Sequence, residues 1–101
     1  MGIIMVTVWY PMHKATDVAK TYLKRPREIP FVTKWRAFNT PAGKDGFKQY
    51  HLIYTERGKL EEAGAEIFKY FMPFTSIEGF NLLFELLTGV SDSYKLMGMN
   101  W

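Results

Sequence analysis

The side chains able to move a proton near neutral pH are few in this sequence: two histidines, His13 and His51, with ten carboxylates and no cysteine in 101 residues. Without cysteine there are no disulfides, thiolate metal sites, iron–sulfur clusters or thiol nucleophiles. His51 and Glu85 form the best acid–base pair, because a buried Glu can be raised toward neutrality and a His titrates there already. The plainer reading is preferred: they satisfy one another across an interface, since buried polar groups need partners whatever their job. His13 falls between a strand and a helix, where exposed turn residues gather. It fits a solvated position better than the mouth of a pocket.

His13 and His51 have no metal-ligand spacing, and neither HExxH nor a His triplet occurs. No GxSxG nucleophile context is present. Gly43 and Gly46 belong to a hairpin turn and not to a phosphate loop. No metal and no cofactor is therefore expected. A single His can be an axial haem ligand, but nothing in the residue pattern asks for one.

The elements that must position these groups follow from periodicity. Ile3 to Trp9 is a continuous apolar run with Val6, Thr7 and Val8 at its centre, which predicts a central strand ended by Pro11. Ala15, Val18, Ala19, Tyr22 and Leu23 mark one face of a helix, and Pro26 and Pro30 bracket its exit. Phe31–Phe38 and Phe47–Thr55 read as two strands joined by NTPAGKDG, whose Pro41, Gly43 and Asp45-Gly46 are turn signals. Leu60, Ala63, Gly64, Ile67, Phe68 and Phe71 are again helical in spacing, with Glu61 and Glu62 in the first turn and Pro73 after the last. Phe80–Leu87 predicts a fourth strand, and Ser91-Asp92-Ser93 a cap for a short helical turn through Met97. The order β-α-β-β-α-β predicts an α+β fold of ferredoxin-like type: a four-stranded antiparallel sheet with both helices on one face. The length suits one domain over residues 1–101.

Alternation along the strands splits each into two sets. In the first strand Ile4, Val6 and Val8 oppose Met5, Thr7 and Trp9; in the fourth Leu82, Phe84 and Leu86 oppose Leu83, Glu85 and Leu87. Both sets are largely apolar, whereas a half-exposed strand alternates apolar with polar. Two helices cover one face, so the excess predicts a second copy packed on the other. The side chains assigned to that second face are Met5, Thr7, Trp9, Trp35, Phe47, Gln49, His51, Ile53, Leu83, Glu85 and Leu87. Among them Thr7, Trp9, Trp35, Phe47, Gln49, His51 and Glu85 are the ligand-binding candidates, and His51 and Glu85 the catalytic ones. A mostly apolar set with a few polar groups is the usual chemistry of a small-molecule pocket.

The element order, the strand-to-helix opening VTVWYPMHKATDVAK, the hairpin tip KDGFK and the SIEGF entry to the fourth strand resemble the dimeric α+β barrel superfamily, in particular its small stand-alone members. That resemblance implies a homodimer with a pocket between the two sheets or between sheet and helices. The family includes monooxygenases that work without cofactors, haem-degrading enzymes, isomerases, polyketide cyclases and ligand-sensing regulator domains, so it implies no single activity.

Three functions from different classes are open: a dimer that binds or converts a small apolar or aromatic molecule, a non-enzymatic structural or regulatory dimer with a filled interior, and an RNA-binding domain. The third shares the topology, and KDGFKQYHLIY falls where an RNP1 pattern belongs. It is the least favoured, because the second-face assignment places Gln49 and His51 where aromatics are needed and turns Tyr50 and Tyr54 toward the helices. The net charge of +3 is uneven, +6 over residues 1–50 and −3 over residues 51–101. Lys20, Lys24 and Arg25 read as cations complementing a helix end. The N-terminus MGIIMVTVWY lacks a basic start and a cleavage site, no apolar run reaches ~20 residues, and Val6 breaks the myristoylation pattern, so a cytoplasmic, membrane-free protein is expected.

Overall fold

The computed structural model describes residues 2–100. Strand β1 (Ile3–Tyr10) is followed by a 3-10 turn, helix α1 (Ala15–Leu23), strand β2 (Val32–Pro41), a second 3-10 turn over Gly43–Asp45, strand β3 (Phe47–Thr55), helix α2 (Leu60–Phe71), a third 3-10 turn over Met72–Ser76, strand β4 (Asn81–Leu87) and helix α3 (Val90–Leu96). The sheet order is β2-β3-β1-β4, and each neighbouring pair is antiparallel. The smallest extent of the Cα trace is 17 Å. That is room for one sheet and one helix layer at ~10 Å spacing, and for no third layer.

The helices cover the β1 face carrying Ile4, Val6 and Val8. These residues are buried together with Tyr10, Val18 of α1, Ile53, Ile67 and Phe71 of α2, and Phe74. The 3.6-residue spacing of Ala63, Ile67 and Phe71 thus becomes the buried stripe of α2, as its periodicity predicts.

Several boundaries differ from the sequence reading: β1 ends at Tyr10 and not Trp9, β2 starts at Val32 and not Phe31, and β4 starts at Asn81 and not Phe80. Strand β2 runs on to Pro41, because Asn39, Thr40 and Pro41 keep their ladder with Gln49, Lys48 and Phe47. Proline tolerates that place at the end of an edge strand. Ser91, Asp92 and Ser93 lie inside α3 and do not cap it; Gly89 occupies the N-cap, and the Ser93 hydroxyl bonds back to the Gly89 carbonyl. At the hairpin tip Gly46 has φ +85° and abuts the end of β1, where an added Cβ would collide with the Tyr10 carbonyl oxygen. Among the described residues no helix is long and apolar enough to cross a membrane.

Candidate functional site: an aromatic pocket backed by a buried histidine

The register of β3 against β1 decides which side chains meet. Val6 pairs with His51, Val8 with Gln49, Ile4 with Ile53 and Tyr10 with Phe47. Paired residues of an antiparallel ladder point to the same face, so His51, Gln49, Ile53 and Phe47 lie under the helices. Trp35 follows them, paired with Ile53. The assignment of Trp35, Phe47, Gln49, His51 and Ile53 to the second face is therefore corrected. Glu85 pairs with Met5 and is exposed on the opposite face. The expected meeting of His51 with Glu85 does not occur within one chain, because the sheet itself lies between them. Thr7, Trp9, Leu83 and Leu87 sit on the second face as expected, Thr7 with 3% exposure. His13 is exposed in the turn before α1.

Beneath the helices His51 is 4% exposed and both ring nitrogens are engaged. The Trp35 indole N–H, which can only donate, gives to Nδ1 at 2.9 Å. The ring proton therefore sits on Nε2, 2.9 Å from the Tyr22 hydroxyl oxygen. That hydroxyl donates to Gln49 Oε1 at 2.7 Å, and Gln49 Nε2 donates to the Tyr10 hydroxyl at 3.3 Å. One donor-only group at the start thus orients four successive hydrogen bonds, from Trp35 to Tyr10, across three strands and α1. Burial pushes the His51 pKa down to about 4 and drives that of Tyr22 strongly up. Burial also raises Tyr10 and Tyr70, while a hydrogen bond from Gln49 and the charge of Arg25, respectively, pull the other way. His51 and these tyrosines are neutral at physiological pH. With Nδ1 occupied by Trp35, His51 has no lone pair to offer a substrate; it fixes the two rings on either side of it.

Those rings are pocket walls. Tyr22 and Trp35, with Tyr70, line a cavity of about 310 Å³ completed by Leu23, Arg25, Pro26, Arg27 and Ile29 of the segment leaving α1. Trp35 packs on Tyr70 with ring centroids 4.7 Å apart, and the Arg25 guanidinium lies 5.3 Å from the Tyr70 ring centroid. A wider cleft of about 670 Å³ adjoins and shares Arg27, Ile29 and Trp35. At its rim Phe31 has φ +68°, a left-handed conformation costly for an aromatic residue, with its carbonyl accepting the Glu56 N–H at 2.8 Å. Among the described residues no three His, Cys, Asp or Glu cluster as metal ligands. Replacing Tyr22 by Phe removes the hydroxyl between His51 and Gln49. Because His51 Nε2 and Gln49 Oε1 are 3.2 Å apart and can pair directly, the expected loss is about 1–2 kcal/mol in urea unfolding rather than the full cost of two orphaned groups.

Residue typing alone did not single out Tyr22, Tyr70, Arg25 or Arg27. The signal available for Tyr22 was a phenol on the apolar face of α1, which needs a polar partner in the core. Lys20 and Lys24 are exposed at the end of α1 as expected, whereas Arg25, just past that end, lines the cavity together with Arg27.

The uncovered face is a four-by-four array. Its cross-sheet rows are Lys34–Tyr54–Ile3–Leu87, Arg36–Leu52–Met5–Glu85, Phe38–Tyr50–Thr7–Leu83 and Thr40–Lys48–Trp9–Asn81. Tyr50 and Tyr54 are on this face and not under the helices, a second consequence of the β3 register. Each cation of the array lies near a ring: Lys48 by Tyr50 and Trp9 at 4.9 and 5.4 Å, Arg36 by Phe38 at 5.3 Å and Lys34 by Tyr54 at 5.7 Å. Compared with known proteins, the chain matches no family model, no curated protein and no solved structure.

Proposed function

We propose that the protein is a homodimer that binds a small aromatic or apolar molecule in the cavity between sheet and helices, with the uncovered sheet faces packed on each other. The observation that carries the ligand reading is the Tyr22–Trp35–Tyr70 cavity, two of whose walls are clamped by the buried His51. A binding site needs rings held in one rotamer, and a part-buried hydrogen-bond chain holds them. The sheet order, read from the β4 edge as 4-1-3-2, supports the ferredoxin-like topology on which the dimeric barrel reading rests.

A thermal-shift series with planar aromatic molecules tests the ligand reading. Binders are expected to raise Tm in the native protein and not in Trp35→Leu. No shift from any member, or equal shifts in both proteins, contradicts it.

For the dimer, the array supplies shape and charge. Ile3, Met5, Leu52, Leu83 and Leu87 make about a third of its positions aliphatic, with Leu52 and Met5 at the centre, which suits another protein surface better than stacked bases. A twofold axis parallel to the strands lays β2 over the β4 strand of the second copy and keeps each row in line. Arg36 then faces Glu85 of the partner subunit, twice per dimer. Light scattering is expected to give about twice 11.8 kDa. Arg36→Glu or Glu85→Arg is expected to weaken the dimer at least about tenfold, and the double exchange to restore it. A monomer that instead binds single-stranded RNA with steep salt dependence would reassign this face to nucleic acid, its rings and lysines being suited to that role.

A further inference from the structure

We infer that the cavity takes a planar anion, a one- or two-ring aromatic carboxylate, with Arg25 and Arg27 as its counter-charges; this rests on the pocket reading above. The lining holds two guanidinium groups and no carboxylate. Among the described residues the ion pairs are Lys14–Asp17 and Lys59–Glu62, so neither arginine is neutralised within the chain. Glu28 and Glu66 border the smaller cleft beside Arg25, together with Lys69, and neither pairs with it.

Arg25 shows the deficit most plainly. Its Nε is shut off from solvent with no acceptor. Its guanidinium is held over the Tyr70 ring, and its backbone N–H is tied to the Tyr22 carbonyl at 3.0 Å. With Nε enclosed by the protein, the outer Nη pair is the part of the fork left for a ligand, and a carboxylate accepts two parallel N–H bonds from such a pair. The remaining walls offer ring faces. The Tyr22 hydroxyl proton is already given to Gln49, so that wall presents its ring rather than a free donor. About 310 Å³ lies at the low end of ligand pockets and suits one or two fused rings.

Isothermal titration of the full chain with 2-naphthoate and with 2-naphthamide, equal in shape and different in charge, tests this. The carboxylate is expected to bind at least about tenfold more tightly. Arg25→Gln is expected to bring it to the affinity of the amide, and Arg25→Lys, which keeps charge without the fork, to an intermediate value. Arg27→Gln is expected to weaken the carboxylate, and Lys44→Gln, at the exposed hairpin tip away from the cavity, to leave it unchanged. Equal affinities for the two compounds, with binding lost in Trp35→Leu, would overturn the anion inference and leave the pocket standing. No binding of either compound would overturn both. Equal losses in Arg25→Gln and Lys44→Gln would show attraction to net charge only and overturn the inference.

Discussion

Acidification from neutral pH to about pH 4 is expected to remove about 3 kcal/mol of folding stability through His51. In the unfolded chain this histidine takes up a proton near its ordinary value of 6.5, whereas in the folded protein burial holds it back until about pH 4. Between those values the unfolded state binds one proton more, so stability falls as pH falls. Above the unfolded value both states are neutral and the contribution is fully present. The mechanism is local: a proton on Nδ1 would face the donor-only indole of Trp35, leaving two donors against each other in a site with 4% exposure. Urea unfolding across this range should show the loss in the native protein. It should show a loss smaller by about that amount in His51→Gln, where the carboxylates still titrate and the imidazole does not. Coincident pH slopes for the two proteins would mean that His51 is not buried in the neutral form.

The largest single loss from a side-chain truncation is expected at Phe74, about 3–5 kcal/mol on replacement by alanine. Phe74 has no solvent exposure and lies in the turn after α2, where its ring meets Tyr22 at 4.4 Å, Phe80 at 5.1 Å and Phe71 at 5.7 Å between centroids. Removing it opens a cavity at the joint between α1, α2 and the approach to β4, and a close-packed interior cannot collapse to fill it. Tyr22 loses its backing ring at the same time, so the Tyr22–His51 hydrogen bond should loosen and the His51 pKa should rise toward its ordinary value. Phe74→Leu, which refills most of the volume, should cost less than half as much, and Leu96→Ala, at 84% exposure, within about 0.5 kcal/mol. Chemical unfolding of the three variants gives the ranking. A Phe74→Ala loss no larger than that of Leu96→Ala would contradict the packing described for this joint.

What could be read from the sequence was local. Ala15, Val18 and Tyr22, or Ala63, Ile67 and Phe71, share a face by helical spacing whatever else the chain does. The division of β1 into Ile4, Val6 and Val8 against Met5, Thr7 and Trp9 needed only the period of two. The phase of β3 was different in kind. Phe47, Gln49, His51 and Ile53 alternate with Lys48, Tyr50, Leu52 and Tyr54, and each set mixes polar with apolar groups, so hydrophobicity does not choose between them. The choice is made by pairing with β1, between 37 and 51 positions away in sequence, and a slip of one residue exchanges the faces. The sequence reading placed His51 and Gln49 on the second face, with Glu85 as the partner of His51. The structure places their partners inside: Tyr22, Trp35 and Tyr10 come from three other elements and converge on the same spot. The cavity was illegible for the same reason, since Tyr22, Arg25, Trp35 and Tyr70 are assembled only when α1, its exit segment, β2 and α2 meet.

The most direct measurement of whether the helix-side cavity is the binding site is the response of individual indole N–H signals in NMR spectra as 2-naphthoate is added. Trp35 and Trp9 are first told apart by replacing each with Phe. The Trp35 signal, whose proton is held by His51 at the cavity wall, should shift progressively and saturate, while that of Trp9 on the opposite face stays in place. A moving Trp9 signal with Trp35 unchanged, or no movement of either at millimolar ligand, would contradict a binding site between sheet and helices.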